Sequence, residues 1–142
     1  MEETRKKIVV VDDNASSLSL VRNLLKDHYE VYPAPSAIKL FTIMGNFIPD
    51  LVLLDIDMPG MSGYEVMQVM SENPRFKDIP IILLTGLNDL ENEVEGFKLG
   101  AADYVTKPFS GELLLRRIGN LLLIEQQKTE IQELRSRLEN SI

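Results

Sequence analysis

Four aspartates stand at the ends of two short apolar runs, where carboxylates can bind a metal ion or act as nucleophiles. Asp12 and Asp13 end the run KIVVVDD, while Asp55 ends the run DLVLLD and Asp57 follows two residues later. Carboxylates that share one site repel each other by several kcal/mol per pair, so they stay ionised together only beside a cation. Hard oxygen ligands favour Mg²⁺, with Mn²⁺ as an alternative.

A hydroxyl and an amine follow two further apolar runs. IPIILLTG ends in Thr85 and Gly86, and DYVTKP carries Lys107 next to its final proline. Together with an aspartate and a divalent cation, these groups supply what phosphoryl transfer needs: a nucleophile, positive charge and a hydrogen-bond donor for phosphoryl oxygens. Gly86 leaves space beside Thr85 for a group of phosphoryl size.

The elements that position these residues alternate regularly along the chain. Short apolar runs indicate buried strands, and the longer segments between them have apolar residues at helical spacing. Asn14, Ser36 and Ser110 stand where helix N-caps are expected. The predicted strands span residues 7–13, 30–35, 50–55, 79–86 and 103–108, and the predicted helices span 14–29, 36–45, 62–72, 89–101 and 110 to the end.

This alternation predicts an α/β fold, a doubly wound parallel sheet with helices on both faces. In such folds ligands bind beyond the carboxyl ends of the strands. The first, third, fourth and fifth strands all end in the reactive side chains named above, whereas the second ends in none, as expected of an edge strand. The sequence therefore predicts that these side chains share one pocket.

Composition narrows the class of protein. The 142 residues suit one domain, and the absence of cysteine excludes disulfides, thiolate catalysis and cysteine-based zinc sites. No apolar stretch is long enough to cross a membrane, and the N-terminus lacks a signal peptide, so we expect a cytoplasmic protein. A net charge of −7 without a strong basic cluster argues against direct nucleic-acid binding.

Four segments in this order resemble the receiver domain of bacterial two-component response regulators: VVVDDN, LVLLDIDMPGMSG, LLTG and ADYVTKPF. The resemblance covers about residues 6–125 and implies a flavodoxin-like (βα)5 sheet with strand order 2-1-3-4-5. We expect a receiver domain over 1–122 and a helical extension over 123–142. The resemblance implies a phosphorylated signalling domain rather than an enzyme with turnover.

The resemblance also implies roles for the acidic residues. Asp55 accepts phosphoryl from a sensor histidine kinase, a phosphotransfer protein or a small phosphodonor. Asp13, Asp55 and the backbone carbonyl of Asp57 bind Mg²⁺ directly, and Asp12 binds it through water. Many relatives have Asn at the position of Asp57, and here its side chain adds negative charge.

For the remaining site residues, the resemblance implies phosphate binding and switching. Lys107 pairs with one phosphoryl oxygen, Thr85 hydrogen-bonds another beside Gly86, and Tyr104 changes rotamer together with Thr85. The Lys107–Pro108 peptide is expected to be cis. Gly86 stands where many relatives have Ala.

The C-terminal segment has a heptad pattern. Ile124, Ile131 and Leu138 repeat every seven residues, and Leu134 takes a d-like position between the last two. This pattern predicts a short coiled-coil seam through which two copies could form a homodimer. The alternatives are a connector to a further domain and a solvated helical extension.

Two other functions fit parts of the sequence. The segment LLDID resembles the Asp-x-Asp of haloacid-dehalogenase-like phosphatases, in which Asp55 would be the nucleophile and Asp57 the general acid. That family, however, usually begins with this strand and carries its metal-binding acids late in the chain. The second alternative is a receiver fold that serves only for phosphorylation-independent dimerisation.

Overall fold

The computed structural model describes residues 5–86 and 97–141, which form one sheet and the four helices named below. Strands and helices alternate, as the sequence predicts. In chain order they are β1 (Lys7–Val11), α1 (Ala15–Leu25), β2 (Glu30–Ala34), α2 (Ala37–Met44), β3 (Leu51–Asp55), α3 (Gly63–Glu72), β4 (Ile81–Thr85), β5 (Asp103–Thr106) and α4 (Gly111–Asn140). Each observed strand is one to three residues shorter than predicted, because the residues at one or both of its ends lie in loops.

The sheet is parallel throughout, and its strand order is β2-β1-β3-β4-β5. Both features were predicted. The core lies on both faces of the sheet, because alternate side chains of each strand point to opposite faces. Val9 and Val11 pack with α2 and α3 on one face, while Ile8 and Val10 pack with α1 and α4 on the other.

Side-chain caps begin the helices where the sequence predicts them. Asn14, Ser36 and Ser110 each accept a hydrogen bond from a backbone N–H three residues later, at 3.0, 3.2 and 3.0 Å. The helix predicted over 89–101 falls largely on residues 87–96, outside the described residues. Its end is visible, since Phe97 and Lys98 are helical and Gly100 has a φ of 106°.

Strand β2 is an edge strand, and its proline takes a particular position in it. Glu30 N–H donates to the carbonyl of Lys6 at 2.9 Å, and Asp12 N–H donates to the carbonyl of Ala34 at 3.1 Å. Even-numbered residues of β2 therefore bond inward to β1, and Pro33 has its nitrogen on the outer side. The lack of an N–H at Pro33 therefore removes no hydrogen bond between β1 and β2.

Candidate functional site

Four strands end side by side and deliver the reactive residues to one edge of the sheet. In the register of the strands, Val11 aligns with Leu54, Asp55 with Leu84 and Thr85 with Thr106. The loop that follows β1 therefore begins beside the end of β3, and the loop that follows β5 begins one strand farther along the same edge. Asp12, Asp13, Asp55 and Lys107 meet in one pocket, and Thr85 ends the intervening strand β4.

Three carboxylates form the acidic part of the pocket. One oxygen each from Asp12, Asp13 and Asp55 lies within 4.8 Å of the others. Asp12 is 1% exposed and Asp55 is 8% exposed, whereas Asp13 is open to solvent. The cluster can hold a divalent cation that keeps waters on its exposed side, because Mg²⁺ takes few protein ligands and retains water.

Lys107 joins the cluster from the end of β5. Its Nζ donates a hydrogen bond to Asp12 Oδ2 at 2.8 Å and lies 3.7 Å from Asp55 Oδ1. Burial tends to lower the pKa of this ammonium, but the Asp12 hydrogen bond and the charges of Asp55 and Asp12 outweigh it, so the pKa is raised. Lys107 therefore stays charged at neutral pH.

The environment of Asp55 opposes its ionisation. Burial and, to a smaller extent, Asp12 raise the pKa of this carboxyl to about 6, although Lys107 and a hydrogen bond from the backbone of Asp57 act to lower it. With all three carboxylates ionised and Lys107 protonated, −3 plus +1 leaves −2 in the pocket. A divalent cation would balance that charge and would favour the ionised form of a carboxylate beside it.

Thr85 ends β4 with a buried hydroxyl. Its side chain is 1% exposed, and its Oγ1 has no hydrogen-bond partner among the described residues. Lys107 N–H donates to the Thr85 carbonyl at 2.6 Å, which fixes the ends of β4 and β5 to each other. The Lys107–Pro108 peptide is cis. Gly86 follows Thr85 and is half-buried.

Tyr104 and Asp57 are the two remaining residues to which the resemblance gives a role. The half-buried Tyr104 ring packs against the core face formed by α2 and α3 and meets the Phe97 ring edge to face, with centroids 5.5 Å apart. The Asp57 side chain is exposed, so this residue reaches Asp55 through its backbone. The structure leaves the switching role of Tyr104 untested.

Two contacts at the site were not predicted from the sequence. Asn14 N–H donates to Asp12 Oδ1 at 3.0 Å and orients that carboxylate. A Cβ at Gly63 would lie 2.6 Å from the Asp55 carbonyl oxygen and 2.9 Å from Ile56 Cα, so only glycine lets α3 approach β3 this closely. The glycine directly after Ser62, the cap of α3, was the available signal for this contact.

Comparison with known proteins identifies the family. Residues 8–119 match the family model described as the response regulator receiver domain. The chain belongs to this family. The resemblance read from the sequence is thereby confirmed, and the receiver domain has the expected flavodoxin-like strand order.

Its relatives cover most of this chain but are often longer. A probable cyclic di-GMP phosphodiesterase of Vibrio cholerae is 41% identical over 121 residues, which is 85% of this chain and 27% of that protein. The first curated relatives are all longer, and the chain spans between 27% and 50% of their lengths. Their whole-protein activities therefore involve segments that have no counterpart in this chain.

Solved structures match the fold over most of this chain and over nearly all of their own length. A putative response regulator from Chloroflexus aurantiacus has a TM-score of 0.81 and 30% identity, over 84% of this chain and 99% of that one. The BeF3-activated DrrB receiver domain has a TM-score of 0.75 and 35% identity, over 84% and 98%. Among the described residues, no helix combines the length and apolar character that crossing a membrane requires.

Proposed function

We propose that Asp55 accepts a phosphoryl group from a phosphohistidine of a sensor kinase or phosphotransfer protein, or from a small phosphodonor. An Asp55 carboxylate oxygen attacks phosphorus, the P–N bond breaks, and the imidazole keeps the electron pair and takes a proton. Hydrolysis of the acyl phosphate returns the carboxylate and releases phosphate. The receiver family and the solvent-exposed position of Asp13 beside Asp55 support the proposal.

The side chains around Asp55 are arranged for this reaction. Lys107 Nζ, 3.7 Å from Asp55 Oδ1, neutralises one phosphoryl oxygen, and the buried Thr85 hydroxyl donates to another. Gly86 adds no side chain beside that hydroxyl. Each partner acts on charge that a phosphoryl group brings, so the pocket stabilises the bound group more than the free carboxylate.

Asp12, Asp13 and Asp55, with the backbone carbonyl of Asp57, would hold Mg²⁺ or Mn²⁺. The fit rests on three oxygens within 4.8 Å of one another in a pocket whose charge is otherwise −2. When bound, the cation neutralises phosphoryl oxygens. Asp12 is held by Asn14 and Lys107 at 3.0 and 2.8 Å, a fixed position consistent with binding through water.

Phosphorylation would act as a conformational switch through Thr85 and Tyr104. The Thr85 hydroxyl has no hydrogen-bond partner among the described residues, so a phosphoryl oxygen gives it one and favours a pocket closed around the group. Space vacated near Thr85 would be taken by Tyr104, which lies on the neighbouring strand. The altered face would comprise β5, α4 and the helix predicted over 89–101, most of which falls outside the described residues.

The wider setting is also a proposal. The chain would work in the cytoplasm, and its net charge of −7 argues against direct contact with nucleic acid. Any enzymatic or DNA-binding output would lie in a separate polypeptide segment or partner. Phosphorylation on Asp55 would then control that output, while this domain performs only its own phosphorylation and dephosphorylation.

The observation that carries the proposal is the convergence of three carboxylates and the Lys107 ammonium at one pocket. We expect acetyl phosphate with Mg²⁺ to add one phosphoryl group, detected by intact-mass spectrometry, and beryllofluoride to shift NMR signals around Thr85. Asp55→Asn should abolish both responses, while Asp57→Asn should retain them because only the Asp57 backbone contributes.

Equal phosphorylation of Asp55→Asn, or no response of the wild-type chain, would contradict the proposal. Mg²⁺-dependent turnover of small phosphate esters that is lost in Asp57→Ala would instead favour the phosphatase alternative. Absence of Mg²⁺ affinity in a chain that still dimerises would favour a module used only for dimerisation.

A further inference from the structure

The C-terminal helix carries an apolar face that nothing in the described part of the chain covers. Of the large hydrophobic side chains that are exposed, six lie on α4, and they are between 38% and 66% exposed: Leu113, Leu123, Ile124, Ile131, Leu134 and Leu138. By contrast Leu114, Ile118 and Leu121 of the same helix are buried in the domain core. Exposed apolar residues at heptad spacing, here the stripe of Ile124, Ile131, Leu134 and Leu138, indicate an interaction surface.

The stripe lies to one side of the helix face that packs on the body of the domain. At 3.6 residues per turn, the line through Ile124, Ile131 and Leu138 lies about 110° around the helix axis from the line through Leu114, Ile118 and Leu121. At its start Ile124 borders a crevice with Ala102 and Asp103. Polar residues of α4, among them Glu125 and Thr129, border crevices whose other walls are body residues such as Lys6 and Pro80. Two copies could therefore meet along the stripe with their bodies outside.

We propose that α4 pairs with α4 of a second copy of this chain as a parallel two-stranded coiled coil. Ile124, Ile131 and Leu138 occupy the a positions, and Gln127 and Leu134 the d positions. The b, c and f positions from residue 125 to residue 140 are all polar, as expected for the outer side of a coiled coil. Gln127 is the one polar residue among these seam positions.

Charge complementarity selects a second copy in parallel orientation as the occupant. In the heptad frame Glu130 takes a g position and Arg135 takes the following e position, five residues later. In a parallel dimer the g residue of one helix faces the next e residue of the other, so Glu130 meets Arg135 twice across the two-fold axis. Both side chains are exposed in the single chain.

Association is tested first by sedimentation equilibrium of the full chain. We expect a dimer whose dissociation constant rises about a hundredfold in Ile131→Asp, since each copy then loses a buried apolar side chain. Gln132→Asp is the matched control, because it introduces an aspartate at the next position, which lies on the polar side of the helix. A monomer up to the solubility limit of the wild-type chain, or equal loss in both variants, would overturn the proposal.

The orientation of the two helices is tested by disulfide formation between introduced cysteines. The result is unambiguous because the sequence contains no other cysteine. In a parallel dimer identical d positions meet, so Leu134→Cys should cross-link efficiently under mild oxidation. Ser136→Cys, on the outer f position, should remain mostly reduced. A dimer that cross-links equally at both sites, or at neither, would refute the parallel register.

The charge pair is tested by exchange. Glu130→Arg and Arg135→Glu should each weaken the homodimer about tenfold, because each replaces two attractions with two repulsions. Mixing the two variants should restore pairing as a heterodimer, in which every g–e pair is again of opposite charge. No recovery on mixing would refute the assignment. These readouts are masses and cross-links, so they succeed or fail independently of Asp55 phosphorylation.

Discussion

At the scale of single residues, burial and charge act in opposite directions on Asp55 and Lys107. Burial makes the ionised Asp55 carboxylate less stable than in water, and the nearby Lys107 recovers only part of that loss. For Lys107, two carboxylates more than offset burial. Full ionisation of the carboxylates in the pocket is therefore unfavourable, and any added cation stabilises the ionised carboxylates.

This imbalance predicts how pH affects stability in metal-free buffer. Asp55 has a pKa of about 6 in the folded chain against an ordinary 3.8, so ionisation destabilises the fold above pH 6 and protonation relieves it as the pH falls. Asp55→Asn should raise the free energy of unfolding by roughly 1–2 kcal/mol at pH 8, after allowance for solvent screening. The gain should disappear near pH 4, as measured by urea denaturation.

Asp57→Asn is the control for this prediction. It removes an exposed carboxylate from the same loop and should change the free energy of unfolding by less than about 0.5 kcal/mol at either pH. A gain from Asp55→Asn that is independent of pH would show that ionisation of this residue is not the destabilising factor.

At the scale of elements, one backbone contact fixes the distance between the helix α3 and the strand β3. Gly63 N–H donates to the carbonyl of Ile56 at 2.9 Å, and the bare Cα lies against the carbonyl of Asp55. The helix thereby holds the end of β3 and the loop that presents Asp55 and Asp57. A side chain at this position would push α3 away from the sheet.

Gly63→Ala should therefore destabilise the fold by about 1–3 kcal/mol, because the backbone atoms that a Cβ would meet cannot move aside easily. Gly119→Ala is the matched substitution, since a Cβ at this position within α4 meets nothing within 4 Å. It should stabilise by roughly 0.5–1 kcal/mol through helix propensity. Urea denaturation of both variants checks the pair, and equal effects would contradict the account.

The helices and strands also show how much of the fold could be predicted from the sequence. Val-rich runs and helix caps were enough to predict the parallel sheet, its alternating helices and the edge at which Asp55 lies. The hydrogen bond from Asn14 N–H to Asp12, and the contact of Gly63 with β3, were not predicted, because they depend on ångström-scale packing between elements. Residues 87–96, where a helix was predicted, lie outside the described part.

At the scale of the whole molecule, the chain divides into a packed domain and a helix that leaves it. All side chains of α4 from Gln126 onward are exposed. We infer a boundary close to the one predicted, with the receiver domain over 1–122 and the extension over 123–142. Within the described residues, no side chain of the extension belongs to the hydrophobic core.

Deleting residues 126–142 should therefore leave the free energy of unfolding of the single domain within about 0.5 kcal/mol. The thermal midpoint of the full chain should rise with protein concentration, because dimerisation stabilises the folded state by mass action, and the shortened chain should lose this dependence. Calorimetry over a range of concentrations measures both. A concentration-dependent midpoint in the shortened chain would locate the association surface elsewhere.

Pro33 in the strand β2 has a consequence for how such molecules can associate. An open strand edge invites another backbone to extend the sheet, and that is a route to fibrils. Outward-directed positions within β2 are Val31 and Pro33, so proline leaves a single amide there to seed an added strand. The β2 edge is therefore a poor site for the addition of a strand from another copy.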